Sequence, residues 1–295
     1  MRLTNPRAAD FSAASRKALE YPSGTRWSAV TSDPNDPIAL ALRARTLAAA
    51  FRPPVSDRLG YVEDRCRGRK VLDIGAVAHD SERMDSPSWL HGRIAAVAAS
   101  CLAVDILPAG VAAMQKRGFE AVTHDLSAGP GPLRERGPFD VIVAGELIEH
   151  VTDLGMLFRT ATDLLSPAGE MLITTPNPFA PKRMWAGRRG MVWENADHIL
   201  LAFPAGMAEL AERHDLLLAE AFTVVPARPP VTARSVAKRV LRSARGTAWR
   251  TTGFTTSGAR VATRIQSGLT RPPSRRDWFR GETFIYVIRR PDALS

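Results

Sequence analysis

Five fragments decide how this chain folds: KVLDIGA at residues 70–76, CLAVDIL at 101–107, EAVTHDL at 120–126, PFDVIVAGELIEH at 138–150 and GEMLITTPNP at 169–178. Each holds a short run of β-branched and apolar residues. Helical stretches lie between most of them, which is the pattern of successive βα units feeding a parallel sheet. The reading predicts strands at Val71–Ile74, Leu102–Val104, Ala121–Thr123, Asp140–Ala144 and Met171–Thr175. Ser86 and Pro87 read as the capped start of a helix running to about Ser100, and Glu146 to Leu165 reads as another, stopped by Pro167 and Gly169.

Working outward, Pro37 to Phe51 has the Ala and Leu content of a helix that stops before Pro53, and Val55 to Arg67 predicts a second. Residues 1–36 are rich in Ser, Pro, Asp, Asn and Arg without apolar periodicity, and are expected to form a mobile or loosely docked arm. Downstream come an Arg-, Pro- and Trp-rich loop from Pro176 to Asp197, a short helix from Pro204 to His214, and strands at Leu216–Val225 and Glu282–Arg289. The expected organisation is an arm at 1–36, a core at 37–230, a basic insert at 231–280 and a closing strand at 281–295.

The 295 residues, 45% hydrophobic and 24% charged, suit one ordinary packed domain with appendages. Net charge is +10, but Val231 to Arg276 holds eleven basic residues and no Asp or Glu, so without that segment the chain is near neutral. Its charge fits a solvated loop, an amphipathic contact with an anionic membrane, or a nucleic-acid strip, whose stacking aromatics are here irregularly spaced. Two cysteines, Cys66 and Cys101, make no disulfide framework, and nowhere do about 18 apolar residues run uninterrupted. The expected location is cytoplasmic, with membrane association left open through the insert.

In an open parallel sheet, ligands bind beyond the carboxyl ends of the strands, where strand order reverses. Those ends are acidic here: Asp73, Asp105, Asp125 and Glu146 close the first four strands. A carboxylate ending the second strand is suited to gripping a ribose diol, since it accepts paired hydrogen bonds.

In their order, these fragments resemble the core of the class I S-adenosylmethionine-dependent methyltransferases over about 110 residues. The resemblance implies a Rossmann-like α/β fold, a mostly parallel seven-stranded sheet with helices on both faces. It also implies S-adenosylmethionine as cofactor, with Asp73 and Gly75 framing its loop and Asp105, followed by Ile106, at the ribose. Asp125 would lie at the adenine amino group and Leu126 against the ring, with Ala144, Gly145 and Glu146 near the methyl group. One departure stands out. The family places further glycines after Asp-x-Gly, whereas Ala76-Val77-Ala78-His79 follow here, so side chains stand where backbone would approach the ligand. The 32 residues from Asp73 to Asp105, against roughly 20 in a compact unit, could carry Trp89 and His91 over the pocket.

On a helix, Glu146 would share a face with Glu149 and His150, three and four residues on. This ExxEH element resembles the metal site of the quinone-biosynthesis and small-RNA O-methyltransferases, in which a later His completes the set; His198 would be that group. Carboxylate and imidazole donors suit Mg²⁺, Mn²⁺ or Zn²⁺. Without a metal, His150 is the natural general base, with Glu146 beside it. The expectation is an enzyme that methylates an oxygen, or as second choice a nitrogen, of a small-molecule or glycan or lipid-linked acceptor. An RNA 2′-O-methyltransferase-like enzyme and a non-catalytic scaffold that kept the fold stand as alternatives.

Overall fold

The structure is a computed structural model that describes residues 6–78, 81–225 and 280–291. The helices are α1 (Pro6–Ala18), α2 (Pro37–Ala50), α3 (Arg58–Cys66), α4 (Leu90–Val97), α5 (Pro108–Lys116), α6 (Leu154–Leu164), α7 (Pro181–Gly187) and α8 (Pro204–Arg213). The strands are β1 (Lys70–Ile74), β2 (Ser100–Asp105), β3 (Ala121–Thr123), β4 (Phe139–Gly145), β5 (Leu165–Pro176), β6 (Leu217–Val224) and β7 (Thr283–Arg289). They form one sheet in the order β3-β2-β1-β4-β5-β7-β6. Pairing is parallel from β3 through β5, and β7 runs antiparallel to both β5 and β6. This is the mixed, mostly parallel α/β fold that the sequence pattern predicts.

Side chains alternate across each strand, so the same short run feeds two cores. Leu72, Ile74, Ile142 and Ile173 pack on one face with Phe158 and Leu164 of α6 and Ala208 of α8. Val71, Val141, Val143 and Leu172 pack on the other with Val62 and Cys66 of α3 and Ile94 of α4. Both faces are covered, which explains why the strands read as continuous apolar runs. Strand order reverses between β1, which continues to β2, and β4, which continues to β5. The switch point therefore lies between Gly75 and Gly145.

Three expectations are corrected. First, residues 6–18 form a helix packed on α2, and Ala18 joins Ile38, Ala41 and Leu42 in a buried cluster flanked by Tyr21, Trp27 and Val30. Trp27 Nε1 donates to Glu209 Oε2 of α8 at 2.9 Å, so this segment is docked, not loose. Second, no helix begins at Glu146. That residue has φ +52°, a left-handed conformation that interrupts a helix. A single 3₁₀ turn follows at Ile148–His150, and α6 starts only after Asp153, whose carboxylate accepts the Met156 amide. Third, α4 begins at Leu90 and not at Ser86, because Ser86 turns back on Ser88 and the Trp89 indole is drawn to the Ala76 carbonyl. The basic stretch 231–276 lies outside the described residues, as does His79.

Candidate active site

The carboxyl ends of β1, β2 and β4 meet at the switch point. Gly75 leaves β1 with φ +71°, and a Cβ there would stand 2.8 Å from Leu147 Cδ1, so glycine is required on two counts. Asp105 ends β2 almost wholly buried. Its Oδ2 accepts the Val77 amide at 3.0 Å and its Oδ1 the Leu107 amide at 3.0 Å. Each oxygen has used one lone-pair direction and keeps another. Ile106, beside it, is exposed.

The residues in place of the loop glycines are absorbed into the packing. Val77 and Ala78 join the apolar cluster of Ala76, Met84, Trp89, Val111 and Met114. Val77 occupies the space that a Cβ at Gly110, in the first turn of α5, would need. Bulk gained on the loop is thus matched by bulk removed from the helix.

Asp73 has a partner within the fold. It sits on the α3/α4 face of β1, fully buried, with Oδ2 2.9 Å from His91 Nδ1. His91 is buried too, packed edgewise against Phe119. Through these contacts and the Trp89 indole's bond to the Ala76 carbonyl, the two residues tie the loop to α4. Asp125 is exposed and caps the 3₁₀ turn Leu126–Ala128, accepting the Ser127 amide at 2.8 Å, and hydrogen bonding from the Ser127 side chain and then from that amide holds its carboxyl below the usual range. Leu126 is buried in the main core.

At the β4 end, Ala144 is buried, and a Cβ on Gly145 would press within 2.6 Å of Leu90 Cδ2. Glu146 is anchored through its amide, which donates to the Thr174 carbonyl at 2.8 Å, while its Oε1 stands 3.8 Å from Arg58 Nη1. The 3₁₀ turn, not a shared helix face, presents Glu149 and His150. One ligand-capable atom each from Glu149, His150 and His198 lie within 4.8 Å of one another. Glu146 is outside that group. The His150 and His198 rings meet edge to face at 4.8 Å.

Glu149 is the distinctive member. It is buried, and its Oε2 accepts the Thr175 hydroxyl at 2.9 Å, while its Oε1 is buried with no hydrogen-bond partner among the described residues. Burial, with a further push from the Glu146 charge, raises its pKa to about 7 against the opposing bonds. A buried carboxylate with one unpaired oxygen, grouped with two imidazoles, is a donor set suited to a divalent cation. The imidazoles have carboxylate partners of their own: Asp197 lies 3.2 Å from His150 Nδ1 and Glu194 lies 2.6 Å from His198 Nδ1.

Sequence reasoning missed Arg58, Arg183, Glu194 and Asp197. The ENADH run at 194–198 held the signal for the last two, acidic residues one and four before a candidate ligand. Arg58 and Arg183 carried no such signal, since each reaches the site by folding back from a distant element.

A sequence profile described as a methyltransferase domain matches residues 39–220. Among curated proteins, the chain is similar to the ubiquinone biosynthesis O-methyltransferase of Azorhizobium caulinodans, at 32% identity over 137 residues, 41% of this chain and 51% of the relative. It is also similar to the protein of that name from Albidiferax ferrireducens, at 26% over 185 residues, 59% of this chain and 67% of the relative. The chain spans about half the length of the first curated relatives it matches. Among solved structures, a SAM dependent methyltransferase from Archaeoglobus fulgidus aligns with 79% of this chain and 91% of its own, at 15% identity and a TM-score of 0.47.

Proposed function

The chain belongs to the methyltransferase-domain family, and we propose that it moves a methyl group from S-adenosylmethionine to a hydroxyl oxygen of a small-molecule acceptor. The observation that carries this reading is Asp105: a buried carboxylate at the end of β2, fixed by two backbone amides yet with acceptor capacity left on both oxygens. That is what a ribose diol needs. S-adenosylmethionine supplies an activated methyl, so the protein has only to align the acceptor and remove one proton. In this reading Asp105 holds the ribose and Asp125, exposed beyond β3, approaches the adenine. Gly75 lets the loop turn beneath the ligand, and Ala144, Gly145 and Glu146 form the wall at the reacting end. Without a bound cation His150 takes the acceptor proton at Nε2, its Nδ1 being engaged with Asp197.

A divalent cation fits the Glu149, His150 and His198 group, because it would satisfy the buried Glu149 Oε1, which has no hydrogen-bond partner among the described residues. Those three residues would hold it, and it would lower the pKa of an acceptor hydroxyl. The O-methyltransferase names of the curated relatives support oxygen as the acceptor atom.

Calorimetric titration with S-adenosylmethionine and with its demethylated product tests the cofactor reading. Binding by the parent chain and a loss of about 10- to 100-fold for Asp105→Ala, the worth of about 1.5–3 kcal/mol for hydrogen bonds to a charged group, are expected. No heat with either nucleoside would sink it and favour a scaffold. Turnover that survives exhaustive chelation would remove the metal and leave His150 as base.

A further inference from the structure

The two imidazoles of the candidate metal group are not equally held, and the difference lies in the loop after β5. Arg183, on α7, donates from Nη1 to the carbonyls of Asn177 at 3.3 Å and Glu282 at 3.4 Å, which fastens it to the end of β5 and the approach to β7. Its Nε donates to Glu194 Oε1. The other oxygen of that carboxylate lies 2.6 Å from His198 Nδ1. Side-chain exposure falls along this chain to 16% for Arg183, 15% for Glu194 and 8% for His198. On the far side of the ring, Asn195 Nδ2 stands 3.4 Å from Nε2. A carboxylate can only accept and an amide nitrogen can only donate, so both contacts favour one tautomer, with the proton on Nδ1 and the lone pair on Nε2, where a cation would displace the long Asn195 contact. The Ile199 amide donates to the Glu149 carbonyl at 2.9 Å, docking the whole turn onto the residue whose carboxylate oxygen is unpaired.

We propose that Glu194, fixed by Arg183, is a positioning residue that accepts a hydrogen bond from the Nδ1–H of His198 and so aims the Nε2 lone pair at a divalent cation shared with Glu149 and His150. Asp197 plays the same part for His150, but with 64% of its side chain exposed it contributes less. The inference rests on the metal reading above and adds the outer carboxylates that make the histidines competent ligands. Such partners raise ligand basicity and lock ring orientation, and their loss typically lowers metal affinity about 10- to 100-fold.

The test is Mn²⁺ titration of the metal-stripped 295-residue chain, followed by the electron paramagnetic resonance of free Mn²⁺. The variants are Glu194→Ala, Glu194→Gln, Asp197→Ala, His198→Ala and both glutamate changes combined with His198→Ala. Glu194→Ala is expected to weaken binding about 10- to 100-fold. Glu194→Gln, which keeps an acceptor without its charge, should fall between it and the parent, and Asp197→Ala should have the smaller effect. In the His198→Ala background neither glutamate change should weaken binding further. Melting curves of the metal-free variants check the fold, and if Glu194→Ala does not fold, the Glu194→Gln comparison decides. Parent-like affinity in the glutamate variants, or an equal loss with and without His198, overturns the inference while leaving the metal reading intact. A parent chain that binds neither Mn²⁺ nor Zn²⁺ overturns both.

Discussion

Val77 and Gly110 show how a departure from a family's glycine pattern is absorbed one residue at a time. The sequence announced the valine but not its compensation, because the two positions lie 33 residues apart and only the βα fold sets the loop against the first turn of α5. A β-branched side chain has little rotamer freedom with which to retreat. Gly110→Ala should therefore cost about 1–3 kcal/mol by overpacking, and Val77→Ala in the same chain should recover most of that in urea titrations. Equal destabilisation by the single and double variants would show that the two sites do not share a cavity. Asp73 and His91 teach the same lesson. Asp73 was visible as a candidate site residue but its partner was not: alternation along β1 turns the aspartate to the face covered by α4, where the histidine meets it.

At the scale of elements, strand positions were legible because parallel strands covered on both faces must be apolar throughout. The stretch after β4 was misread because its residues suit a helix well. Asp153, the actual cap, stands seven residues beyond the predicted start, and the positive φ of Glu146 is imposed by its amide bonding to Thr174 on the neighbouring strand. Asp153→Ala should thus destabilise the protein by about 1 kcal/mol, measured by chemical denaturation, whereas removal of an ordinary mid-helix side chain would not. At the opposite end of the sheet, Glu170 on β5 is buried among Arg65, Arg69 and Arg289. They surround a cavity of about 410 Å³ whose cations are already paired to Glu170 and Glu220. Burial pushes the Glu170 carboxyl up, but hydrogen bonds and charge from Arg65 and then Arg289 outweigh it and hold its pKa below the ordinary 4.5. The folded state therefore gains from this group above about pH 4.5, and loses that gain as pH falls through the depressed value. Glu170→Gln should cost about 1–3 kcal/mol near neutrality by leaving half-buried guanidiniums short of charge. In melting curves the gap from the parent should narrow below pH 4.

For the whole molecule, the N-terminal segment is part of the fold. Removal of residues 1–36 would uncover Ile38, Ala41 and Leu42 and break the Trp27–Glu209 bond. A loss of at least about 1.5–3 kcal/mol, the worth of one large buried apolar side chain, is expected as a lower melting temperature; an unchanged one would return the segment to the status of a loose arm. No helix of the described residues is long and apolar enough to cross a membrane. The sequence by itself determined the strand runs, the acidic strand ends and the resemblance they carry, because burial on both faces and ligand binding at carboxyl termini act through residue type and order. Tertiary structure alone decided which carboxylates are free to work. Asp73 is spent on His91, Asp105 keeps capacity beside its two amides, and Glu149 gathers two histidines from separate segments. Such partnerships depend on which face of a strand a side chain takes and on which distant loop folds over it, and local pattern does not encode either.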